Sequence, residues 1–167
     1  MSDSTIRLIA AIVLIFHGVG HYMGIMAGLG IKLTAGMSAE SPLLTGILGP
    51  SGIRIICLIL FTLALIGFIA SGFSLLGWMV PQSWWLKLSV VSAVISMLGL
   101  VFYWNALAFF FNKFGAVIIN SAVFICLLLL RWPPAIFRRQ RIITEDPDSS
   151  FYPPEFLVQS RTHNPIK

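Results

Sequence analysis

His17 and His21 stand four residues apart inside an apolar run from about Thr5 to Leu29. On a helix this spacing puts both imidazoles on one face. A pair so placed has several chemistries open to it: gripping a metal ion, ligating the metal of a tetrapyrrole, hydrogen-bonding a quinone, or moving protons. An ionisable ring at membrane depth is costly and needs a partner. A zinc site would require a third ligand from Asp, Glu, Cys or His. The long apolar runs contain no Asp or Glu, and the third histidine, His163, lies far off near the C-terminus. The reading is therefore no metal site. No nucleophile is paired with a base and an orienting acid, so no catalytic residues are assigned. Two rings on one helix face cannot take opposite sides of one iron, and no other run supplies a histidine. What remains is a quinone, a haem bound on one side, or a chlorophyll-type pigment. The candidate cofactor-binding residues are His17 and His21, joined by Ser96 and Asn120.

The elements that must position these side chains are long and apolar. Of 167 residues, 57% are hydrophobic and only 10% charged, against roughly 25% charged in soluble domains. The mean hydropathy is +0.92. Four stretches approach the roughly 20 residues that cross a bilayer: about Thr5 to Leu29, Ile53 to Val80, Trp84 to Leu107, and Lys113 to Trp132. Pro81 is read as the stop of the second, and Pro133 with Pro134 as the stop of the fourth. The first run is too long for a cleavable signal and lacks a small-residue cleavage site, so it is expected to stay as an anchor. The fold class is all-α: four transmembrane helices in an antiparallel bundle, with an extended polar C-terminal tail. The division is 1–132 for the bundle and 133–167 for a cytoplasmic tail.

Orientation follows the basic residues. The net charge is +5, and Arg131, Arg138, Arg139 and Arg141 cluster just after the fourth run. Cytoplasmic flanks carry such clusters. Both termini are therefore expected in the cytoplasm, with the chain in the cell (inner) membrane. The lipid bilayer is the first partner. The basic run is short and abuts the membrane, so it is not read as a nucleic-acid site. Trp78, Trp84, Trp85 and Trp132 should belt one interface, and Tyr103 with Trp104 the other.

Inside lipid, helices associate through small residues and interhelical hydrogen bonds. Each run carries a stripe of such residues at helical spacing. The first has His17, His21, Gly24 and Gly28, with Gly20, Gly24 and Gly28 as a doubled GxxxG. The second has Ala64, Gly67, Ser71 and Ser74. The third has Ser89, Ser92, Ser96 and Gly99, and the fourth Ala116, Asn120 and Ala122, with Ser121 one step round. By depth, His17, Thr62, Ser96 and Asn120 should form one buried polar layer. Cys57 and Cys126 are read as packing residues.

Two segments fall outside the runs. The connection 31–52 is long for a bundle loop, and its apolar middle (Leu43, Leu44, Ile47, Leu48) is expected on the outer surface or between helices. The tail is polar but carries Phe151-Tyr152-Pro153-Pro154-Glu155-Phe156. An aromatic, proline-rich segment of this kind can lie extended on a partner. Residues 140–167 are thus a candidate docking segment for other membrane subunits.

The stretch Arg7 to Gly24, with its His17-Gly18-Val19-Gly20-His21 centre, resembles the first span of small uncharacterised prokaryotic four-helix membrane proteins. The Gly-rich first run and the Trp84-Trp85 turn are similar to the DoxX-like group. That resemblance implies quinone-linked redox and membrane complexes of oxidoreductases. The leading expectation is a non-catalytic subunit or accessory of a larger, energy-converting membrane complex (redox or photosynthetic). The alternative is a redox-associated protein in which His17 and His21 hold a quinone or tetrapyrrole. A small transporter comes third, since relays commonly use carboxylates and the runs have none.

Overall fold

The computed structural model describes residues 3–126, and these are helical with connecting turns. Five helices follow in order: α1 (Asp3–Gly20), α2 (Tyr22–Gly28), α3 (Thr45–Leu76), α4 (Trp85–Phe102) and α5 (Phe110–Phe124). Three helical stretches are long and apolar enough to cross a membrane: Ser4–Gly28, Thr45–Leu76 and Gln82–Phe102. Where the fourth span is expected, the described residues hold a shorter apolar helix, α5, of 15 residues. The remainder of that expected span to Trp132, the Arg131–Arg141 cluster and the tail lie outside the described residues.

The helix α3 is the hub. It packs on α1 and α2 along one side and on α4 along another, while α5 leans on α4 and scarcely meets α1. The contacts run in opposite order along each pair. Gly72 sits against Ala11 and Ile15 at one end, and Gly28 against Leu58 at the other. Ser71 pairs with Ser89, and Gly99 faces Phe61. Consecutive long helices are therefore antiparallel, the arrangement of an up-down bundle.

The small-residue stripes are the buried faces. Ser71, Ser74, Ser89, Ser92 and Ser96 are all buried. Ser71 donates to the Trp85 carbonyl at 2.9 Å, and Ser74 to the Pro81 carbonyl at 2.6 Å. Polar side chains thus staple the α3–α4 turn from its buried side. Gly24 is a close-approach position: any Cβ there would run into the Phe61 ring.

Several expectations are corrected. Gly20 is exposed, with open space where a Cβ would stand. The first span therefore closes on α3 through Gly18, Gly24 and Gly28, because the turn at His21 lies between Gly20 and Gly24 and leaves Gly20 off the contact line. Ala122 is exposed and Val123 takes its place beside Ala116 and Asn120. The helix α3 ends at Leu76, before Pro81. Gly77 at φ 73° caps it, with Gly77 N–H to the Ser74 carbonyl and Trp78 N–H to the Phe73 carbonyl. A left-handed glycine stops a helix by satisfying its last carbonyls.

Two predicted belt residues turn inward. Trp85 is buried. Tyr103 is fully buried and donates its hydroxyl to the Ile53 carbonyl at 2.9 Å. Trp78, Trp84 and Trp104 are exposed as expected. The connection 31–52 contributes to the core: Met37, Ala39 and Ser41 are buried, and the Ser38 N–H reaches the Asn105 carbonyl at 3.0 Å. It covers the α4–α5 turn, while Leu43 and Ile47 point outward.

Candidate functional site

The first span is not one continuous helix. It breaks at His21, between α1 and α2. The cause is the His21 side chain. Its Nδ1 lies 2.9 Å from the His17 carbonyl, the acceptor that the His21 backbone N–H would ordinarily use. That N–H bonds the Gly18 carbonyl instead, at 3.0 Å. A side chain inserted into the ladder tightens the turn and breaks the helix locally.

Both imidazoles are buried, His17 at 7% and His21 at 3% exposure. They meet edge to face, with centroids 4.9 Å apart. Their floor is aromatic and comes from α3. The Phe68 centroid lies 4.5 Å from His17 and 5.6 Å from His21, and Phe61 lies 6.0 Å from His21.

The predicted site residues come together. His17 Nε2 lies 3.1 Å from Asn120 Oδ1. Asn120 Nδ2 donates to Ser96 Oγ at 2.7 Å, and Ser96 Oγ lies 2.7 Å from His21 Nε2. With the His21–His17 carbonyl bond, these four contacts form a closed circuit across α1, α4 and α5. Thr62, expected in the same layer, is half-buried and takes no part.

The circuit has one direction. A carbonyl only accepts, so His21 Nδ1 carries the proton. A second proton on either ring would place a net charge in a span with no carboxylate to balance it. His21 Nε2 is then an acceptor, and Ser96 donates its O–H to it. Ser96 accepts from the Asn120 amide nitrogen, and Asn120 Oδ1 accepts from His17 Nε2–H. Both tautomers are set by their neighbours.

Sequence reasoning missed the space beside this circuit. A cleft of about 380 Å³ lies between α1 and α5, lined by His17, Gly20, His21, Asn112, Gly115 and a set of apolar side chains that includes Phe16, Phe61 and Phe111. It exists because α1 and α5 scarcely touch and because Gly20 and Gly115 project nothing into it. The sequence holds no signal that sets Gly20 apart from Gly24 and Gly28 in the GxxxG run. Small-molecule sites have this character, mostly apolar with a few polar groups, and this one falls near the lower end of their usual size range. Among the described residues no three His, Cys, Asp or Glu side chains converge as metal ligands would. The chain matches no protein-family model, no curated protein and no solved structure.

Proposed function

We propose that this chain is a four-span protein of the cytoplasmic membrane, both termini inside, that holds a small membrane-soluble ring of the quinone class between α1 and α5. The observation that carries the reading is the apolar cleft with a buried histidine pair in its wall. Its volume suits a head of one or two fused rings, and its position between two helices lets an apolar chain trail into lipid. A four-ring macrocycle fits less well, because a cleft of about 380 Å³ is small for it. The resemblance of the Gly-rich first run and the Trp84-Trp85 turn to the DoxX-like group, which implies quinone-linked redox, points the same way. The accessory-subunit reading rests on residues 140–167, outside the described residues, and on Phe109, Phe110 and Phe111, which are exposed but which lipid would cover as well as a partner, so the cleft is the better supported basis for function.

The test is a gentle purification followed by solvent extraction and an ultraviolet redox difference spectrum. About one equivalent of a ring-bearing lipid should travel with the protein. Filling the cleft with Gly20→Leu and Gly115→Leu should remove it, since neither new side chain meets an obstacle at its Cβ. An equal yield from the filled variant would sink the reading. A Soret band in the purified protein, lost in His17→Ala, would redirect it to a tetrapyrrole. Reporter fusions at the two ends test the topology, and an external signal from either end would overturn it.

A further inference from the structure

The hydrogen-bond circuit decides which kind of head group the cleft accepts. His17 has two ring nitrogens, and Nε2 is spent as a donor on Asn120. Among the described residues Nδ1 makes no hydrogen bond. Yet no nitrogen or oxygen of a buried or half-buried side chain is both sealed and unpartnered there. Nδ1 therefore opens onto space, and the space that His17 lines is the α1–α5 cleft. The ring as a whole is 7% exposed, so Nδ1 is an unpartnered acceptor of a buried side chain, reachable from the cleft. Its character is fixed: with the proton held on Nε2 by Asn120, Nδ1 presents a lone pair.

Reversing the circuit would not be neutral. Turning the Asn120 amide would make His17 Nε2 the acceptor and present an Nδ1–H to the cleft. Ser96 would then donate to Asn120 and need a proton from His21 Nε2, while His21 Nδ1 must keep its own for the His17 carbonyl. His21 would become a cation buried against Phe61 and Phe68, which is expensive in an apolar span.

We infer that the cleft selects a hydroxyl-bearing ring, a phenol or quinol, which donates its O–H to His17 Nδ1, over the corresponding quinone, which offers only acceptors. An acceptor set against a lone pair leaves both groups unsatisfied in a dry site, and buried sites reject such mismatches strongly. The inference rests on the ring-binding reading above and narrows it to the reduced member of the class.

Three ring probes, used without added reductant, test this on the full chain in lipid nanodiscs. 2-Naphthol donates, 2-methoxynaphthalene has the same ring without the donor, and 2,3-dimethyl-1,4-naphthoquinone, whose blocked ring carbons do not add thiols, only accepts. Binding is read against the cleft-filled Gly20→Leu, Gly115→Leu protein, so partition into lipid cancels. 2-Naphthol should bind at least about tenfold more tightly than either other probe. In parallel, nitrogen-15 NMR of histidine-labelled protein, with His163→Asn removing the tail signal, should find one ring unprotonated at Nδ1 and the other at Nε2. The Nδ1 signal should move on adding 2-naphthol. Equal or tighter binding of the methyl ether or the quinone overturns the inference while leaving a ring site in place. Finding both rings protonated at Nδ1 in the free protein overturns it too. Failure of all three probes to distinguish the native from the filled protein overturns both this inference and the ring-binding reading.

Discussion

The His21 imidazole donates to the carbonyl of His17, one turn earlier in its own span, at 2.9 Å. This bond displaces the backbone N–H that would continue the helix. It also assigns the His21 proton, and through Ser96 and Asn120 it assigns that of His17. A single side-chain contact thus sets both the break in the first span and the polarity of the cleft wall.

Asn120 is the joint of the circuit, bonded to both His17 and Ser96. Asn120→Leu should cost about 1–3 kcal/mol, because it removes two bonds and strands a histidine donor. Ser96→Ala also removes two bonds and should cost a comparable amount. Unfolding in mixed detergent should give a double-mutant coupling between the two positions of about 0.5 kcal/mol or more. Strict additivity would show that the circuit is not formed.

Gly20 and Gly24 are four apart and should respond oppositely. Gly24→Ala drives a Cβ into the Phe61 ring and should destabilise by about 1–3 kcal/mol. Gly20→Ala meets nothing and should be neutral or stabilising by up to about 1 kcal/mol. Thermal unfolding of the two variants in one detergent checks the contrast, and equal effects would contradict the described face of the first span.

Tyr103→Phe deletes a hydroxyl in a fully buried site and leaves the ring in place. It should lower stability by about 1 kcal/mol through loss of the bond to the Ile53 carbonyl. A variant as stable as the parent would mean that Tyr103 faces the membrane interface after all.

The two thiols report packing. Cys57 is fully buried beside the Gly24 carbonyl, at 3.5 Å, while Cys126 is half-buried. A membrane-permeant maleimide should label Cys126 first and reach Cys57 only on unfolding. Mass spectrometry after limited labelling distinguishes them, and early modification of Cys57 would contradict the packing of α2 against α3.

Composition and period alone determined that this chain is helical and suited to lipid. Runs of apolar residues interrupted by Ser, Gly, His and Asn every three or four positions leave no other economical structure, because only internally bonded backbone is tolerated in hydrocarbon. The same period marked His17, His21, Ser96 and Asn120, since polar side chains in such runs must face one another. Depth counting failed for Thr62, and belt reasoning failed for Trp85 and Tyr103. Amphipathic rings serve interfaces and cores equally well, and a one-dimensional pattern does not say which neighbour is near. Only the tertiary structure decided that the His21 side chain would take its own helix's hydrogen bond, that Gly20 would face an opening instead of a helix, and that α1 and α5 would stand apart. Those features depend on how α3 and α4 set the spacing of their neighbours, a relation between residues 50 to 100 positions apart that no local run of sequence contains.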